Sequence, residues 1–218
     1  MERNTLLYHV MFDIDGTLIQ SCKIDAVCFT GAIEEVLGLV VDEEWSKYTH
    51  VTDEGILNEI IQSNGLDDQR DEIREKVKKT FIRKIEEHLE EAPAQEVPGA
   101  SRFIAQLNAM NNVVISIATG GWYESAILKL QSAGISVPDI PIVSSDDHFS
   151  RAEIMKRAEA EVNTSTAVSN TYFGDGAWDK KACEELGYNF VLVGNKVKHD
   201  QKIENFNSTN EALAYIGL

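Results

Sequence analysis

The sequence predicts an α/β protein in which a Rossmann-like parallel sheet, with helices on both faces, carries a small all-helical cap domain. Short apolar runs alternate with amphipathic helical patterns in the second half of the chain, which is the order that βαβ units produce. The segment between the first apolar run and this alternation has helical patterns and no convincing strand. Hydrophobic residues make up 43% of the 218 residues, which is enough to bury a sizeable core.

Five apolar runs of strand length form the predicted sheet. The first run, LLYHVMF, covers residues 6–12, and the later runs cover residues 113–118, 140–144, 171–173 and 190–193. Amphipathic patterns predict helices at residues 100–110, 123–134, 151–162 and 180–187, with a closing helix at 208–216. Because strands that alternate with helices run parallel, the carboxyl ends of the strands are expected at one edge of the sheet.

Three further helices are predicted between the first strand and the second. One covers residues 26–38 and ends in a glycine that suits a C-cap. Another covers residues 52–65 and begins at Thr52 or Asp53, either of which can cap a helix. In the third, apolar residues recur every four positions between charged ones, which is typical of one amphipathic helix. These apolar residues are Ile73, Val77, Phe81, Ile85 and Leu89.

These patterns divide the chain into two predicted domains. Residues 1–19 and 98–218 form the α/β core, and residues 20–97 form the helical cap. The connections lie near residues 19–23 and 92–98. A cap joined by two short connections can open to admit a substrate and close to exclude bulk water, so we expect these connections to act as hinges.

Charge and composition exclude several classes of partner. The 20 Lys and Arg residues against 36 Asp and Glu residues give a net charge of −16, so there is no basic surplus to bind nucleic acid. A membrane partner is not expected, because no apolar run reaches the length of a span and the N-terminus lacks a signal peptide's apolar region. Three cysteines without a CxxC pair fit a reducing compartment, so we expect a cytoplasmic protein. The acidic charge stays compatible with a small phosphorylated substrate.

Two carboxylates follow the first predicted strand, in the stretch FDIDGTL. Side chains alternate along an extended segment, so Asp13 and Asp15 start on the same side. Gly16 then permits a turn that brings both toward one ligand. Because ligands of open parallel sheets bind at the carboxyl ends of strands, this pair is predicted to belong to a functional site.

A second pair of carboxylates follows the strand at residues 171–173, in the stretch GDGAWD. If a helix begins at once, the spacing of four places Asp175 and Asp179 on one face. Up to four carboxylates would then converge, and they would repel one another unless a cation were bound. An all-oxygen ligand set suits Mg²⁺, which is therefore the predicted cofactor.

Two further segments, which lie between the acid pairs in the sequence, predict an anion-binding site. The stretch ATGG delivers Thr119 at the end of the second strand, with Gly120 behind it, so that a hydroxyl and exposed backbone N–H groups are available. Arg151 stands at the start of a predicted helix and offers a fork of donors suited to phosphate. Each of these segments alone is commonly an ordinary turn or a surface charge.

Taken in order, FDIDGTL, ATGG, a basic residue before a helix, and GDGAWD resemble the four motifs of the haloacid dehalogenase superfamily, whose members are mostly phosphohydrolases. The resemblance covers the whole chain, including a helical cap inserted after the first motif. It implies an Mg²⁺-dependent phosphatase that acts on a small phosphorylated metabolite through an aspartyl-phosphate intermediate. The third motif departs from the pattern, because the family usually has a lysine there. Arg151 is the best candidate here, and Lys156, more than a turn further on, is the competitor.

The resemblance also implies a role for each motif residue. Asp13 matches the nucleophile that attacks phosphorus, and Asp15 matches the general acid and base. Thr119 matches the hydroxyl that holds a phosphoryl oxygen. The metal ligands are matched by Asp13, the backbone carbonyl of Asp15, and Asp175. Asp179 matches a fourth acid that binds the metal directly or through water.

Two other functions stay open at this point. A phosphomutase of the same superfamily would share every motif, and a non-catalytic relative would bind a metabolite or a partner without turnover. Residues beside the motifs have simpler explanations. A helix N-cap accounts for Thr52 and Asp53 without any contact to substrate. Packing of the first turns of helices onto the sheet is expected for Trp122, Tyr123 and Trp178, and the alternative is that they line the pocket beside the motifs.

Overall fold

The computed structural model describes residues 7–162 and 168–218 and contains one sheet of six parallel strands in the order β3-β2-β1-β4-β5-β6. The strands are β1 (Leu7–Phe12), β2 (Val113–Ala118), β3 (Ile142–Val143), β4 (Val168–Gly174), β5 (Asn189–Val193) and β6 (Lys202–Ile203). The predicted parallel sheet is confirmed, and the two-residue β6 is an addition too short to show a sequence pattern. Residues 1–6, including the Leu6 predicted to start the first strand, lie outside the described residues.

Eight α-helices connect and flank these strands within the described residues. Three follow β1, namely α1 (Cys22–Leu37), α2 (Asp53–Ser63) and α3 (Arg70–Glu91). The other five are α4 (Ala100–Asn108), α5 (Tyr123–Ser132), α6 (Arg151–Glu161), α7 (Ala177–Leu186) and α8 (Thr209–Ile216). Gly38 ends α1 with φ 67°, a backbone conformation in which a glycine has no Cβ to strain. No helix among the described residues combines the length and apolar character needed to cross a bilayer.

Alternate residues of β1 bury themselves in two separate apolar clusters, one on each face of the sheet. Phe12 packs with Phe103, Phe173 and Phe206 on one face, with ring centroids 5.2–6.2 Å apart. Met11 belongs to the cluster on the other face, which α6 and α7 cover. Because every residue of β1 from Val10 onward is buried between these layers, the residue that follows it is placed rigidly.

The helical segment, residues 20–97, has an apolar cluster of its own. Phe29 of α1 packs edge-on against Phe81 of α3, with ring centroids 6.0 Å apart. The two connections to the rest of the chain lie side by side, because the N–H of Gln20 donates to the carbonyl of Gln95 at 2.9 Å. The division of the chain at residues 19/20 and 97/98 stays a prediction.

Candidate active site

Three neighbouring strands deliver polar residues to the same edge of the sheet. Asp13 follows β1, and its N–H donates to the carbonyl of Phe173 at 2.9 Å. Thr119 follows β2, and Asp175 follows β4. Since β1 is paired with both β2 and β4, these three side chains lie around the end of the central strand, as the alternation of strands and helices predicts.

The turn after Asp13 requires a glycine for two reasons. Gly16 has φ 84°, a conformation that residues with a side chain rarely adopt. A Cβ at this position would also collide with the carboxylate of Asp175 and lie 2.7 Å from Sγ of Cys22. The glycine therefore lets the end of β4 approach the first motif closely.

Three buried carboxylates form a cluster in which their oxygen atoms lie within 4.8 Å of one another: Asp13, Asp175 and Asp179. Burial, reinforced by the other carboxylates, raises the pKa of Asp13 well above its usual range. Burial also raises the pKa of Asp179 to about 6. Carboxylates crowded in this way are stabilised by a cation, and three oxygen ligands suit a hard divalent ion. The residues present therefore fit a metal site.

Asp179 reaches this cluster by a route that the sequence interpretation did not anticipate. Helix α7 begins at Ala177, so Asp175 lies before the helix and the two acids do not share a helical face. Asp179 occupies the first turn and accepts the N–H of Gly176 at 3.0 Å, which folds its carboxylate back toward Asp175. Three of the four carboxylates expected to converge do so, and the capping interaction is what brings Asp179 to the other two.

The guanidinium of Arg151, at the first position of α6, joins this cluster. Its Nη1 lies 3.1 Å from Oδ1 of Asp13 and 3.2 Å from Oδ1 of Asp179. A Cβ on Gly120 would collide with its Nη2, so that glycine makes room for the cation. Among the described residues, Nε of Arg151 has no hydrogen-bond partner although it is buried. Lys156, the competing candidate, has a side chain 49% exposed and pairs with Glu153 outside the cluster.

The side chain of Asp15 turns away from the three clustered carboxylates and contacts a second buried cation. Both of its oxygens accept hydrogen bonds from Nζ of Lys129, at 2.6 and 2.7 Å. The same ammonium lies 2.6 Å from Asp25 of α1, and the hydroxyl of Ser21 also donates to Asp15. Lys129 is 1% exposed, and its carboxylate partners raise its pKa above the ordinary value although burial opposes this. The predicted contribution of Asp15 to a metal site concerns its backbone carbonyl and stays a prediction.

Most of these groups line one cavity of about 280 Å³ between the sheet edge and the helical segment, whereas Asp179 and Lys129 lie outside its lining. Thr119, Gly120 and the clustered acids Asp13 and Asp175 form part of its sheet side. Lys196, from the loop after β5, also lines it and pairs with Asp175 at 2.5 Å. A cavity lined by five aspartates, a guanidinium and an ammonium can hold a small anion beside a metal ion.

Residues 10–193 match the family model described as haloacid dehalogenase-like hydrolase. The chain belongs to this family. The predicted superfamily is therefore confirmed, and with it the prediction that the protein is an enzyme. No curated protein matches the sequence.

Solved structures of haloacid dehalogenase-like proteins share the fold at low identity. A β-phosphoglucomutase from Clostridium difficile is 15% identical with a TM-score of 0.74, covering 97% of both chains. CbbY from Rhodobacter sphaeroides, solved in complex with phosphate, is 15% identical with a TM-score of 0.71, covering 96% of this chain and 99% of that one. A hydrolase from Pseudomonas syringae is 20% identical with a TM-score of 0.66, covering 88% and 86%.

The helical segment of this haloacid dehalogenase-like hydrolase contributes a buried carboxylate that an N-cap does not explain. Thr52 caps α2 as predicted, since its Oγ1 accepts the N–H of Gly55 at 3.0 Å. Asp53 instead accepts the N–H of Trp122 at 2.9 Å, and its own N–H donates to the carbonyl of Gly120 at 2.8 Å. Asp53 therefore links the helical segment to the strand end that carries Thr119.

The aromatic residues beside the motifs do not pack as the sequence interpretation expected. Trp122 is fully buried, but it packs against Phe29 and Phe81 of the helical segment, with ring centroids 5.8 and 5.6 Å away. Trp178 lines the cavity. Tyr123 is 45% exposed. Trp122 thus packs into the apolar cluster between α1 and α3 and not onto the sheet.

Sequence reasoning assigned no role to Lys129, Asp25 or Lys196. A signal for two of them exists in the helical pattern. Lys129 lies on the buried stripe of α5 with Ala126 and Leu130, and Asp25 lies on the stripe of α1 that continues through Cys28 and Phe29. A charge at a core-facing position predicts a buried partner. Lys196 lies in a loop with no such periodicity.

Proposed function

We propose that this enzyme is an Mg²⁺-dependent phosphomonoester hydrolase that acts on a small phosphorylated metabolite through an aspartyl-phosphate on Asp13. One observation carries the proposal. The buried carboxylates of Asp13, Asp175 and Asp179 lie together, and Arg151, whose Nε has no hydrogen-bond partner among the described residues, pairs with two of them, Asp13 and Asp179. This combination suits a phosphate monoester, because the dianion needs both a metal and a guanidinium to approach a carboxylate nucleophile.

The proposed nucleophile is the carboxylate of Asp13, which is held at the rigid end of β1. Arg151 binds one of its oxygens and orients the carboxylate toward the cavity. Asp13, Asp175, Asp179 and the backbone carbonyl of Asp15 would hold the metal, which supplies the charge that offsets repulsion between nucleophile and phosphate. Thr119 and the backbone of Gly120 would receive phosphoryl oxygens, and Nε of Arg151 is free to donate to another.

Asp15 is proposed to transfer the protons of the reaction. It would protonate the leaving oxygen as the bond from phosphorus to Asp13 forms. It would then accept a proton from the water that attacks phosphorus, and the bond from phosphorus to Asp13 would break to release phosphate. Lys129 and Ser21 hold Asp15 in place, which supports its role as a positioned acid and base.

The helical segment, residues 20–97, is proposed to act as the cap that encloses the leaving group. It lines the side of the cavity opposite the sheet edge, so an ester bound at Asp13 would be surrounded by both parts of the chain. Exclusion of bulk water strengthens every charge interaction in such a site. A phosphomutase of the same family would use the same residues and differ in the acceptor of the phosphoryl group.

The test is hydrolysis of p-nitrophenyl phosphate and of a panel of sugar, nucleotide and organic-acid phosphates, with Mg²⁺ and with EDTA. We expect phosphate release that EDTA abolishes. Asp13→Asn should lower kcat at least about 10⁴-fold, because the nucleophile is lost. Asp68→Asn, at an exposed position outside the cavity lining, is the matched control and should keep full activity. Release that survives in Asp13→Asn would refute the proposed intermediate.

A further inference from the structure

The phosphate end of the cavity is fixed by the charges at the sheet edge. Asp13, Asp175 and Arg151 all line the cavity at its sheet side, so a phosphoryl group that meets Asp13 occupies this end. The organic group of the ester then has to occupy the remaining volume. The wall around that volume belongs to the helical segment, and its chemistry decides which organic groups fit.

That wall is largely apolar. Its apolar members are Ala26, Phe29, Trp45, Val51 and Ile56. Asp25 and Asp53 are its charged members. Residues 20–97 all lie in the described part of the chain, and none of the lysines or arginines among them lines the cavity. The two cations that do line it come from the sheet side, where Arg151 pairs with Asp13 and Lys196 pairs with Asp175.

Three cations of the surrounding helices are paired elsewhere, and Lys23, which follows the lining residue Cys22, is exposed and outside the lining. Lys129 lies behind the wall, 1% exposed, with its ammonium between Asp15 and Asp25. Arg74 and Lys78 of α3 both pair with Asp146, which does not line the cavity. A second anionic group placed against the helical wall would therefore face apolar side chains and carboxyl groups, with no lysine or arginine of that wall to bind it.

We infer that the substrate is a phosphate monoester whose organic group carries no negative charge and presents an apolar face to the helical wall. This inference rests on the proposed phosphatase function and names its substrate class. The inferred substrate class also favours hydrolysis over phosphomutase activity, in which a phosphoryl group moves from one hydroxyl to another. A mutase must hold an intermediate with two phosphates, and its second dianion needs a cationic site that this wall does not offer.

Isothermal titration calorimetry on Asp13→Asn protein with Mg²⁺ tests the inference with two matched pairs of ligands. The first pair is 4-carbamoylphenyl phosphate and 4-carboxyphenyl phosphate, which have nearly the same shape and differ in charge. The second pair is glucose 6-phosphate and glucose 1,6-bisphosphate. We expect the less charged member of each pair to bind at least about tenfold more tightly. The inference would be overturned by equal affinity within a pair or by tighter binding of the more charged member. It would also be overturned if the less charged members did not bind.

A variant with a positive charge in the helical wall provides a second test of the inferred selectivity. Ala26→Arg puts a guanidinium on the cavity side of α1, and we expect it to invert the preference within each pair. Val27→Arg is the matched control, since it adds the same charge one residue further on, at a position that is 60% exposed and outside the cavity lining. It should leave both affinity ratios unchanged. Inversion by both variants, or by neither, would count against recognition by this wall.

Wild-type turnover of the same four compounds separates this inference from the proposed function. If the less charged member of each pair binds more tightly but no compound is hydrolysed, the inferred substrate selectivity stands and the proposed phosphatase activity is refuted. Hydrolysis that is fastest for the carboxylate and the bisphosphate would sustain the phosphatase and refute the selectivity.

Discussion

Arg151 and Lys129 are both buried cations that bridge two carboxylates, but the carboxylates come from different parts of the molecule. Arg151 pairs with Asp13 and Asp179, which both belong to the sheet edge, and its Nη2 also donates to the carbonyl of Val51 in the helical segment at 3.1 Å. Lys129 contacts Asp15 at the sheet edge and Asp25 in the helical segment. Among the described residues, Nε of Arg151 is buried without a hydrogen-bond partner, whereas the ammonium of Lys129 lies between two carboxylates. Both cations contact both regions, but only Lys129 pairs with a carboxylate of the helical segment, while Arg151 pairs with two acids of the candidate metal site.

The strongest way to test this comparison is to remove the first cation. Arg151→Met deletes the guanidinium that orients Asp13 and that is proposed to contact phosphate. We expect kcat/KM to fall about 10²–10³-fold, the effect of losing one donor to developing charge. Steady-state kinetics with the best substrate of the panel measures the loss.

Lys156→Met is the matched control for that variant, because Lys156 lies on the same helix with its side chain 49% exposed. It should keep activity within about twofold, as expected for an exposed pair. If Lys156→Met carried the larger loss, the assignment of the phosphate-binding base to Arg151 would be wrong.

Removal of the second cation should act first on stability. Lys129→Met leaves Asp15 and Asp25 without their shared partner, and breaking such a buried pair costs about 3–5 kcal/mol of unfolding free energy. We also expect kcat to fall about 10–100-fold with little change in KM, since a displaced Asp15 is a less effective acid. Urea denaturation and steady-state kinetics at a temperature where the variant is folded measure the two effects.

Asp25→Asn combined with Lys129→Met shows whether the two residues act as a pair. Because the double variant removes both charges, it should be less destabilised than the sum of the single variants, by about 0.5–3 kcal/mol. If the two losses of unfolding free energy were simply additive, Lys129 would interact energetically with Asp15 alone and would not stabilise the docking of the helical segment.

The smallest expected effect concerns the other contact between the two regions. Asp53→Ala removes the acceptor for the N–H of Trp122 and should cost about 1–3 kcal/mol of unfolding free energy. Because Asp53 is part of the helical wall of the cavity, its substitution by alanine also tests whether it contributes to substrate recognition. Unchanged relative rates across the substrate panel would assign Asp53 a structural role, and altered relative rates would place it in recognition.

The sequence was sufficient for the parallel sheet and for bringing Asp13 and Asp175 to one edge of it, because both depend on local patterns. Apolar runs that alternate with helices predict the sheet, and an acid after a strand must lie at its carboxyl edge. Gly38 and Thr52 marked helix ends through their own backbone and side-chain chemistry. Arg151 was placed because it opens a helix.

The bridging cation and its partner in α1 could not be predicted in the same way. Lys129 and Asp25 stand over 100 positions apart in the chain, and their contact depends on how the helical segment docks against α5. Local periodicity shows that each faces inward and does not show what it meets. The packing of Trp122 against α1 and α3 depends on the same docking.

The position of Trp122 has a consequence for motion. Its ring belongs by sequence to the sheet domain and by packing to the helical segment, so a simple hinge opening would pull it out of an apolar cluster. A buried tryptophan covers roughly 150–250 Å², and full exposure at about 25 cal/mol per Å² would cost about 4–6 kcal/mol. Such an open form would exist in roughly one molecule in 10³–10⁴ at any instant. This cost is avoided if the start of α5 moves together with the helical segment. The rate of turnover would then depend on a sliding motion of packed helices.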